Sequence, residues 1–414
     1  MGTFALPGAR QREVVVLHLR YAGLLVAASI ASASCDTTGP AGPPAGIEIL
    51  SGQSQIGPVD LTLPEPIAVR VVDGDGRRVD GFPIIFKVIE GDGTLGPAEL
   101  KRVSTLTNSG EATVKWRLGT RAGPQAVTVA VEAFEPLIFQ ALALPGPPVS
   151  LAAVSGSGQR GPIGQELPEP FMVAVLDEFD NGIPDVTLEW EVAAGAGDLS
   201  SPTVKTDSAG IASVAFTPGG VGEILVKANV VGFDPATFVA VGQALLIDPA
   251  GDQFASAEHY IPPDIVQLKA WVEAGELQIR IWFTDFQLRS DWADDEVLAG
   301  YVDLDVDQNP ATGATPFTDR LRPGSGSTGI GAEFSVALFT TNGRFDVLDQ
   351  RGNVIGSVRS RFAGNTVRMW IPLSLIGDDG LVDLAIIVGT VQQLTDIAPD
   401  DGSLVMVGPA GGAR

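Results

Sequence analysis

The chain has 414 residues, of which 45% are apolar, and this supply of core residues excludes a wholly disordered chain. Its formal net charge of −24 argues against a nucleic-acid partner, because acidic side chains repel phosphates. A single cysteine excludes an intrachain disulfide, and only two histidines are present for catalytic or metal chemistry.

Residues 1–34 have the layout of a secretory signal peptide. Three arginines precede an apolar stretch from Tyr21 to Ala31, and small residues follow it. The apolar stretch is about half as long as the roughly 20 residues of a membrane-spanning helix. We therefore expect an exported protein.

The segment Ser32-Ala33-Ser34-Cys35 resembles the lipobox of bacterial lipoproteins, although Ser32 stands where that family prefers leucine. The resemblance implies that Cys35 is lipidated and that the lipid anchors the protein to a membrane of the cell envelope, at the outer membrane or cell surface. Cleavage after Ala33, which leaves Cys35 in the thiol form, is the alternative. Residues 35–46 lack any apolar period and are predicted to form a flexible tether.

Two segments of the chain match each other at an offset of 104 residues. Leu63-Pro64-Glu65-Pro66 recurs as Leu167-Pro168-Glu169-Pro170, and Gly57-Pro58 recurs as Gly161-Pro162. A period of this length indicates repeated domains. Apolar residues alternate with period two in both, and turn residues separate the runs, as in a two-sheet sandwich. The predicted domains are residues 47–145 and 146–245.

The repeats resemble the bacterial Ig-like domains of the intimin and invasin type. Val69-x-Val71-x-Asp73 leads into Gly81-Phe82-Pro83, and repeat two contains the turn Thr206-Asp207-Ser208-Ala209-Gly210-Ile211-Ala212. The resemblance implies Ig-like folds that serve as stalks or spacers. Within them, Trp116 and Trp190 fall in apolar alternation and are predicted to fill the two cores.

Residues 246–414 are predicted to form a larger, jelly-roll-like β-sandwich, which makes the whole chain all-β. Leu277, Ile279 and Ile281 alternate with polar residues, and only short stretches such as Leu373–Ile376 suggest a helical turn. The domain loosely resembles the family-nine carbohydrate-binding and DOMON-like modules. The resemblance implies a module that binds sugar or haem or caps a larger exported enzyme. Four stretches carry it: Asp248-Pro249-Ala250-Gly251-Asp252, Asp264-Ile265, Leu277-x-Ile279-x-Ile281-x-Phe283 and the Asp303–Gly313 stretch.

An acidic strand in this domain is the candidate metal site. Asp303, Asp305 and Asp307 alternate with apolar residues, so in a strand they share one face with about 7 Å between neighbours. A calcium ion would neutralise such a row of hard oxygen ligands, and Asn309 continues the alternate spacing. The alternative is a solvated acidic face with Arg320 or Arg322 as its partner.

Exposed aromatic side chains are the candidate ligand-binding residues. Trp282 lies on the polar side of its strand, and Trp292 follows in a polar stretch. Such rings form stacking platforms for sugars. The alternative is that Trp282 packs beneath a loop.

These features favour a non-catalytic envelope lipoprotein whose Ig-like stalk presents a C-terminal domain for adhesion or glycan binding, with a glycan or a surface protein as partner. No Ser-His-Asp set, zinc motif or phosphate-binding loop occurs in the sequence. Two alternatives stay open. One is an exported glycan-active hydrolase that uses paired carboxylates, and the other is a purely structural envelope protein.

Overall fold

The structure is a computed structural model that describes residues 40–132, 134–255, 262–284, 298–341, 344–377, 381–391 and 393–406. The chain is built almost entirely of β-strands, so the predicted all-β class is confirmed. In these ranges, no helix has the length and apolar character needed to cross a membrane.

The first repeat packs a three-stranded sheet, in the order β1-β3-β7, against a five-stranded sheet, in the order β2-β10-β9-β4-β6. Its first strand starts inside the segment predicted as tether, because the backbone from Pro44 onward pairs with β3. The strands are β1 (Pro44–Ser51), β2 (Gln55–Pro58), β3 (Ile67–Asp73), β4 (Pro83–Glu90), β5 (Thr94–Leu95), β6 (Arg102–Leu106), β7 (Glu111–Val114), β8 (Trp116–Arg117), β9 (Gly123–Val131) and β10 (Leu137–Leu144).

The second repeat reproduces this arrangement strand by strand, with β11-β13-β17 as one sheet and β16-β14-β19-β20 in the other. The strands are β11 (Ser150–Ser155), β12 (Gln159–Pro162), β13 (Phe171–Leu176), β14 (Thr187–Ala194), β15 (Gly197–Leu199), β16 (Thr203–Lys205), β17 (Ile211–Val214), β18 (Phe216–Pro218), β19 (Gly222–Asn229) and β20 (Ala236–Ile247).

The repeated Leu-Pro-Glu-Pro motif has a structural role in both repeats. The Gln55 side chain donates to Glu65 O at 2.8 Å and accepts from Glu65 N at 3.0 Å. Gln159 makes the same two bonds to Glu169, at 2.7 and 3.0 Å. In each repeat the glutamine side chain thus satisfies the backbone N–H and C=O of a glutamate that lies between two prolines. Those prolines lack the N–H that regular strand pairing needs.

The C-terminal domain is one continuous antiparallel sheet that folds over a single core, in the order β21-β22-β27-β26-β25-β24-β23-β28-β29, with β30 beside β28. The short α2 coincides with the predicted helical turn. The elements are β21 (Ile265–Glu273), β22 (Glu276–Phe283), β23 (Leu298–Asp305), α1 (Phe317–Leu321), β24 (Phe334–Thr341), β25 (Arg344–Asp349), β26 (Val354–Ala363), β27 (Thr366–Pro372), α2 (Leu373–Ile376), β28 (Asp383–Thr390), β29 (Leu394–Ala398) and β30 (Leu404–Val405).

A single strand joins the second repeat to the C-terminal domain. The first part of β20 pairs with β19, and Ala244 to Ile247 pair with β21, so β20 belongs to both sheets. In the first repeat the matching strand β10 ends at Leu144, where Pro145 follows. Proline lacks the N–H that a sheet needs, whereas Ala244 at the matching place lets the second strand continue. The predicted boundary at 245/246 therefore falls inside a strand.

Each repeat and the C-terminal domain has its own apolar cluster. Trp116 is fully buried in the first and Trp190 nearly so in the second, which confirms their predicted role as core residues. Val221 of the second repeat joins the C-terminal cluster, so the shared strand is reinforced by side-chain packing.

Candidate functional site

Asp303 lies apart from the other acidic residues of its strand. The loop with α1 covers this face of β23, and Asp303 is fully buried there. Its carboxylate accepts bonds from Thr318 N at 2.7 Å, Thr318 Oγ1 at 2.5 Å and Ser335 Oγ at 2.5 Å. Burial raises the pKa of Asp303, although these three bonds act in the opposite direction. Asp303 is thus engaged in holding α1 against the sheet.

Asp305 and Asp307 come together with Glu333, a residue that the sequence pattern did not suggest. One carboxylate oxygen from each of the three lies within 4.8 Å of the others. Val306 N donates to Glu333 Oε2 at 3.1 Å, which draws this side chain to the acidic strand. Burial, with the charges of Asp307 and Asp305, raises the pKa of Glu333. The grouping has the hard oxygen ligands that calcium prefers.

Asn309 shapes the turn beside this group. Its backbone N–H donates to Asp305 Oδ1 at 3.1 Å and to Asp307 Oδ1 at 3.0 Å. Its side-chain oxygen accepts from Ala311 N at 3.2 Å and so faces its own loop. Thr312 Oγ1 donates to both oxygens of Asp307, at 2.9 and 2.8 Å.

The outer face of the sheet formed by β21, β22, β27 and β26 carries a row of positive charges. Register places Lys269 opposite Arg280, Arg280 opposite Arg368, and Arg368 opposite Arg361. Residues of the same strands that point the other way, such as Ile279, are fully buried in the core. Among the described residues, no Asp or Glu forms an ion pair with these four cations. We call this row the cationic row.

Three tryptophans flank the cationic row. The guanidinium of Arg280 lies 4.4 Å from the ring centroid of Trp282, which is partly buried. Arg368 lies between two rings, 5.2 Å from the centroid of Trp271 and 4.6 Å from that of Trp370. Burial, followed by the charge of Arg280, lowers the pKa of Arg368. On this face, arginine side chains therefore lie over indole rings in cation–π contacts.

Sequence reasoning identified Trp282 but missed its cationic neighbours. The sequence did contain a signal for these neighbours. Arginine or tryptophan recurs at every second residue in three strands, which places these side chains on one strand face: Arg280-x-Trp282, Arg359-x-Arg361 and Arg368-x-Trp370. Two predicted site residues, Cys35 and Trp292, lie outside the described residues.

Comparison with known proteins gives matches among solved structures. The adhesin FdeC of Escherichia coli aligns over 89% of this chain and 98% of its own, at 13% identity and a TM-score of 0.38. The adhesin InvE of Yersinia pseudotuberculosis aligns over 78% of this chain and 96% of its own, at 14% identity and a TM-score of 0.28. The D0–D1 domain of intimin aligns over 48% of this chain and 95% of its own, at 20% identity and a TM-score of 0.19.

These structures belong to the adhesin group that the repeats resemble in sequence. No protein-family model matches the chain, and neither does any curated protein.

Proposed function

We propose that this chain is a non-catalytic adhesion-type protein of the cell surface. In this proposal the two Ig-like repeats form a stalk, and the C-terminal domain binds an anionic glycan on the face that carries the cationic row. The observation that supports the proposal most strongly is the placement of Lys269, Arg280, Arg368 and Arg361 directly opposite one another across four strands.

Like charges on opposite strands destabilise a sheet, so this arrangement has a cost that an anionic ligand would remove. The cost is incurred in a chain whose net charge is −24, where positive residues are scarce. Neighbouring strands are about 4.8 Å apart, and the row therefore spans about 14 Å, enough to contact several charges of one extended polymer.

The tryptophans favour a glycan over a simple polyanion. An indole ring stacks on the apolar face of a sugar, while a guanidinium beside it pairs with a carboxylate or sulfate. Trp282 and Arg280 place the two groups in contact, with the guanidinium over the indole ring at 4.4 Å from its centroid. A carboxylated or sulfated polysaccharide is the ligand class that uses both groups.

The test compares binding of polygalacturonate, dextran sulfate and neutral dextran by the full chain, with isothermal titration calorimetry as the readout. We expect binding of at least one anionic polymer and none of neutral dextran. Arg280→Gln and Arg361→Gln should each weaken binding by about tenfold or more. Binding should also weaken with added salt.

Arg121→Gln is the matched control, because Arg121 is an exposed arginine of the first repeat. It should leave affinity unchanged. Equal losses from Arg121→Gln and Arg280→Gln would refute a specific face, as would binding of DNA without binding of either polysaccharide. Release of reducing ends from either polymer, lost on substitution of an acidic residue, would favour the hydrolase alternative.

The proposal includes a calcium ion held by Asp305, Asp307 and Glu333. The grouping of their oxygens supports it. Asp305→Asn should lower calcium affinity by about tenfold or more, since each carboxylate contributes charge to such a site. Asp346→Asn, on the neighbouring part of the sheet, should not. Equal calcium affinity in the Asp305 variant and the unsubstituted chain would remove this part of the proposal.

The proposal also includes a lipid on Cys35 as the membrane anchor. Its support is the sequence resemblance to a lipobox. In a bacterial host fed an alkyne-tagged fatty acid, the full chain should incorporate the tag and Cys35→Ser should not. Incorporation that is unchanged in Cys35→Ser would contradict the anchor.

A further inference from the structure

A second acidic cluster lies where the C-terminal domain begins and ends. Asp248 directly follows β20, Asp252 lies in the turn after it, and Asp396 belongs to β29 near the other end of the domain. One carboxylate oxygen from each of these three residues lies within 4.8 Å of the others. The fold thus collects carboxylates that are nearly 150 residues apart in sequence.

The cluster is largely buried, and four of its six carboxylate oxygens have no hydrogen-bond donor among the described residues. Only 5% of Asp248 and 1% of Asp396 is exposed. Among the described residues, nothing donates to Asp248 Oδ2, Asp396 Oδ1 or either carboxylate oxygen of Asp252, although all four atoms are buried. A buried charged oxygen without a partner is strongly unfavourable.

Asp303 is a buried carboxylate of this protein whose oxygens are satisfied by hydrogen bonds, and it differs from the second cluster in this respect. Asp303 is equally buried, but its carboxylate receives three hydrogen bonds. In the second cluster, Asp396 Oδ2 accepts from Ile265 N at 2.6 Å. The neighbouring Asp264 accepts from Gly251 N at 3.2 and 3.0 Å and from Thr284 Oγ1 at 3.1 Å. These bonds position the side chains and leave other oxygens unpartnered.

In the part of the chain that the structure describes, no positive side chain compensates the cluster. Within the described ranges, no Lys or Arg forms an ion pair with Asp248, Asp252, Asp264 or Asp396. Burial, together with Asp396 and the other neighbouring carboxylates, raises the pKa of Asp248 to about 8. Burial raises the pKa of Asp396 to about 7. Carboxylate oxygens gathered within 4.8 Å of one another and without a cation repel each other, so the arrangement favours a bound positive charge.

We infer that Asp248, Asp252 and Asp396 bind one hard divalent cation of the calcium type, which fastens the end of β20 to β29. Carboxylate oxygens are the ligands that calcium takes, and soft metals select sulfur or imidazole ligands instead. The ion would neutralise the buried charges and supply the missing partners of the oxygens. Because β20 is shared with the second repeat, the ion would also stabilise the junction between the repeat and the C-terminal domain.

The test uses the full chain stripped of metal by chelation, titrated with calcium chloride by calorimetry and followed by thermal unfolding. In the unsubstituted chain, saturating calcium should raise the melting temperature by roughly 5 °C or more. Asp396→Asn should lose one calcium equivalent and most of this rise. It should still fold, because the amide oxygen can still accept from Ile265 N. In chelator, Asp396→Asn should be at least as stable as the unsubstituted chain, because a buried charge is removed.

Asp252→Asn is the second variant, at a partly buried position in a turn, and it should lose the same calcium equivalent. Asp305→Asn separates this site from the one proposed above, because it should keep the equivalent that Asp396→Asn loses. Asp349→Asn, at the end of β25 elsewhere in the domain, should respond to calcium like the unsubstituted chain. The inference is overturned if calcium leaves the melting temperature unchanged, or if Asp252→Asn and Asp396→Asn retain every calcium equivalent.

Discussion

The amide of Asn181 in the second repeat donates to the backbone oxygen of Thr120 in the first repeat, at 2.7 Å. The other end of the same amide accepts from Ala122 N at 2.8 Å. Asn181 Nδ2 also donates to Asp177 at 3.1 and 2.9 Å, and Asp177 Oδ2 accepts from Gly146 N of the connector at 2.8 Å. One Asp–Asn pair therefore links both repeats and the segment that joins them.

Asn181→Ala should loosen this junction and leave each repeat folded. The lost hydrogen bonds contribute about 0.5–1.5 kcal/mol each, too little to unfold a sandwich. A broader distribution of distances between spin labels on the two repeats is the expected result. Arg77→Ala, at the matching position of the first repeat, is the control and should leave the distribution unchanged. A distribution in Asn181→Ala as narrow as in the unsubstituted chain would show that the pair does not hold the repeats.

Asp177 should make the second repeat sensitive to acid. Burial alone would raise the pKa of Asp177, but bonds from Asn181, Gly146 and Phe179 outweigh it, and the pKa lies below its ordinary value. The unfolded chain then takes up the proton at higher pH than the folded chain. This contribution to stability is present above the unfolded-state pKa of about 3.9 and is lost as pH falls through the folded-state value.

Urea unfolding of the unsubstituted chain and of Asp177→Asn between pH 6 and pH 2 measures this effect. The difference between them should shrink as the pH falls below about 4. Asn181→Ala removes donors from the carboxylate and should move the acid loss to higher pH. Parallel stability curves for the unsubstituted chain and Asp177→Asn over the whole range would rule out the linkage.

Ala244→Pro should uncouple the second repeat from the C-terminal domain. Ala244 pairs with Ala270 in the part of β20 that enters the C-terminal sheet. Proline there disturbs the ladder at a cost of about 1–3 kcal/mol. In calorimetry the second repeat and the C-terminal domain should melt together in the unsubstituted chain and separately in the variant.

Pro145→Ala is the control for this experiment, because Pro145 ends the matching strand of the first repeat. It should leave the number of calorimetric transitions unchanged. Separate transitions for the second repeat and the C-terminal domain in the unsubstituted chain would show that the shared strand does not couple them.

Thr318→Val should destabilise the C-terminal domain by about 1–3 kcal/mol, the range for a buried acceptor that loses its donor. The Thr318 hydroxyl donates to the buried Asp303 at 2.5 Å. Thr315→Val is the matched control, since Thr315 is exposed and three residues away. Chemical unfolding monitored by tryptophan fluorescence is the measurement. Equal stability of the two variants would mean that this hydrogen bond contributes little.

Period-two alternation predicted the strands because it is a local property of the chain. Ile67, Val69 and Val71 alternate in sequence and are fully buried in β3. The 104-residue offset likewise predicted the matching strands of the two repeats, since a repeated sequence repeats its local pairing. The sequence pattern did not predict that β20 continues from the second repeat into the C-terminal domain. That continuity depends on whether proline follows the last paired residue of the repeat, as Pro145 does in the first repeat.

The sequence by itself determined the all-β class, the repeats, the core tryptophans and the acidic character of the Asp303–Asp307 strand. The tertiary structure decided which carboxylates meet, because strand alternation places Asp303 and Asp305 on one face but cannot show that α1 encloses the first and Glu333 approaches the second. It also decided the cationic row and the cluster of Asp248 and Asp396. The row depends on the hydrogen-bond register of strands that are far apart in the chain, and the cluster depends on the packing of the segment after β20 near β29, so local sequence shows neither of them.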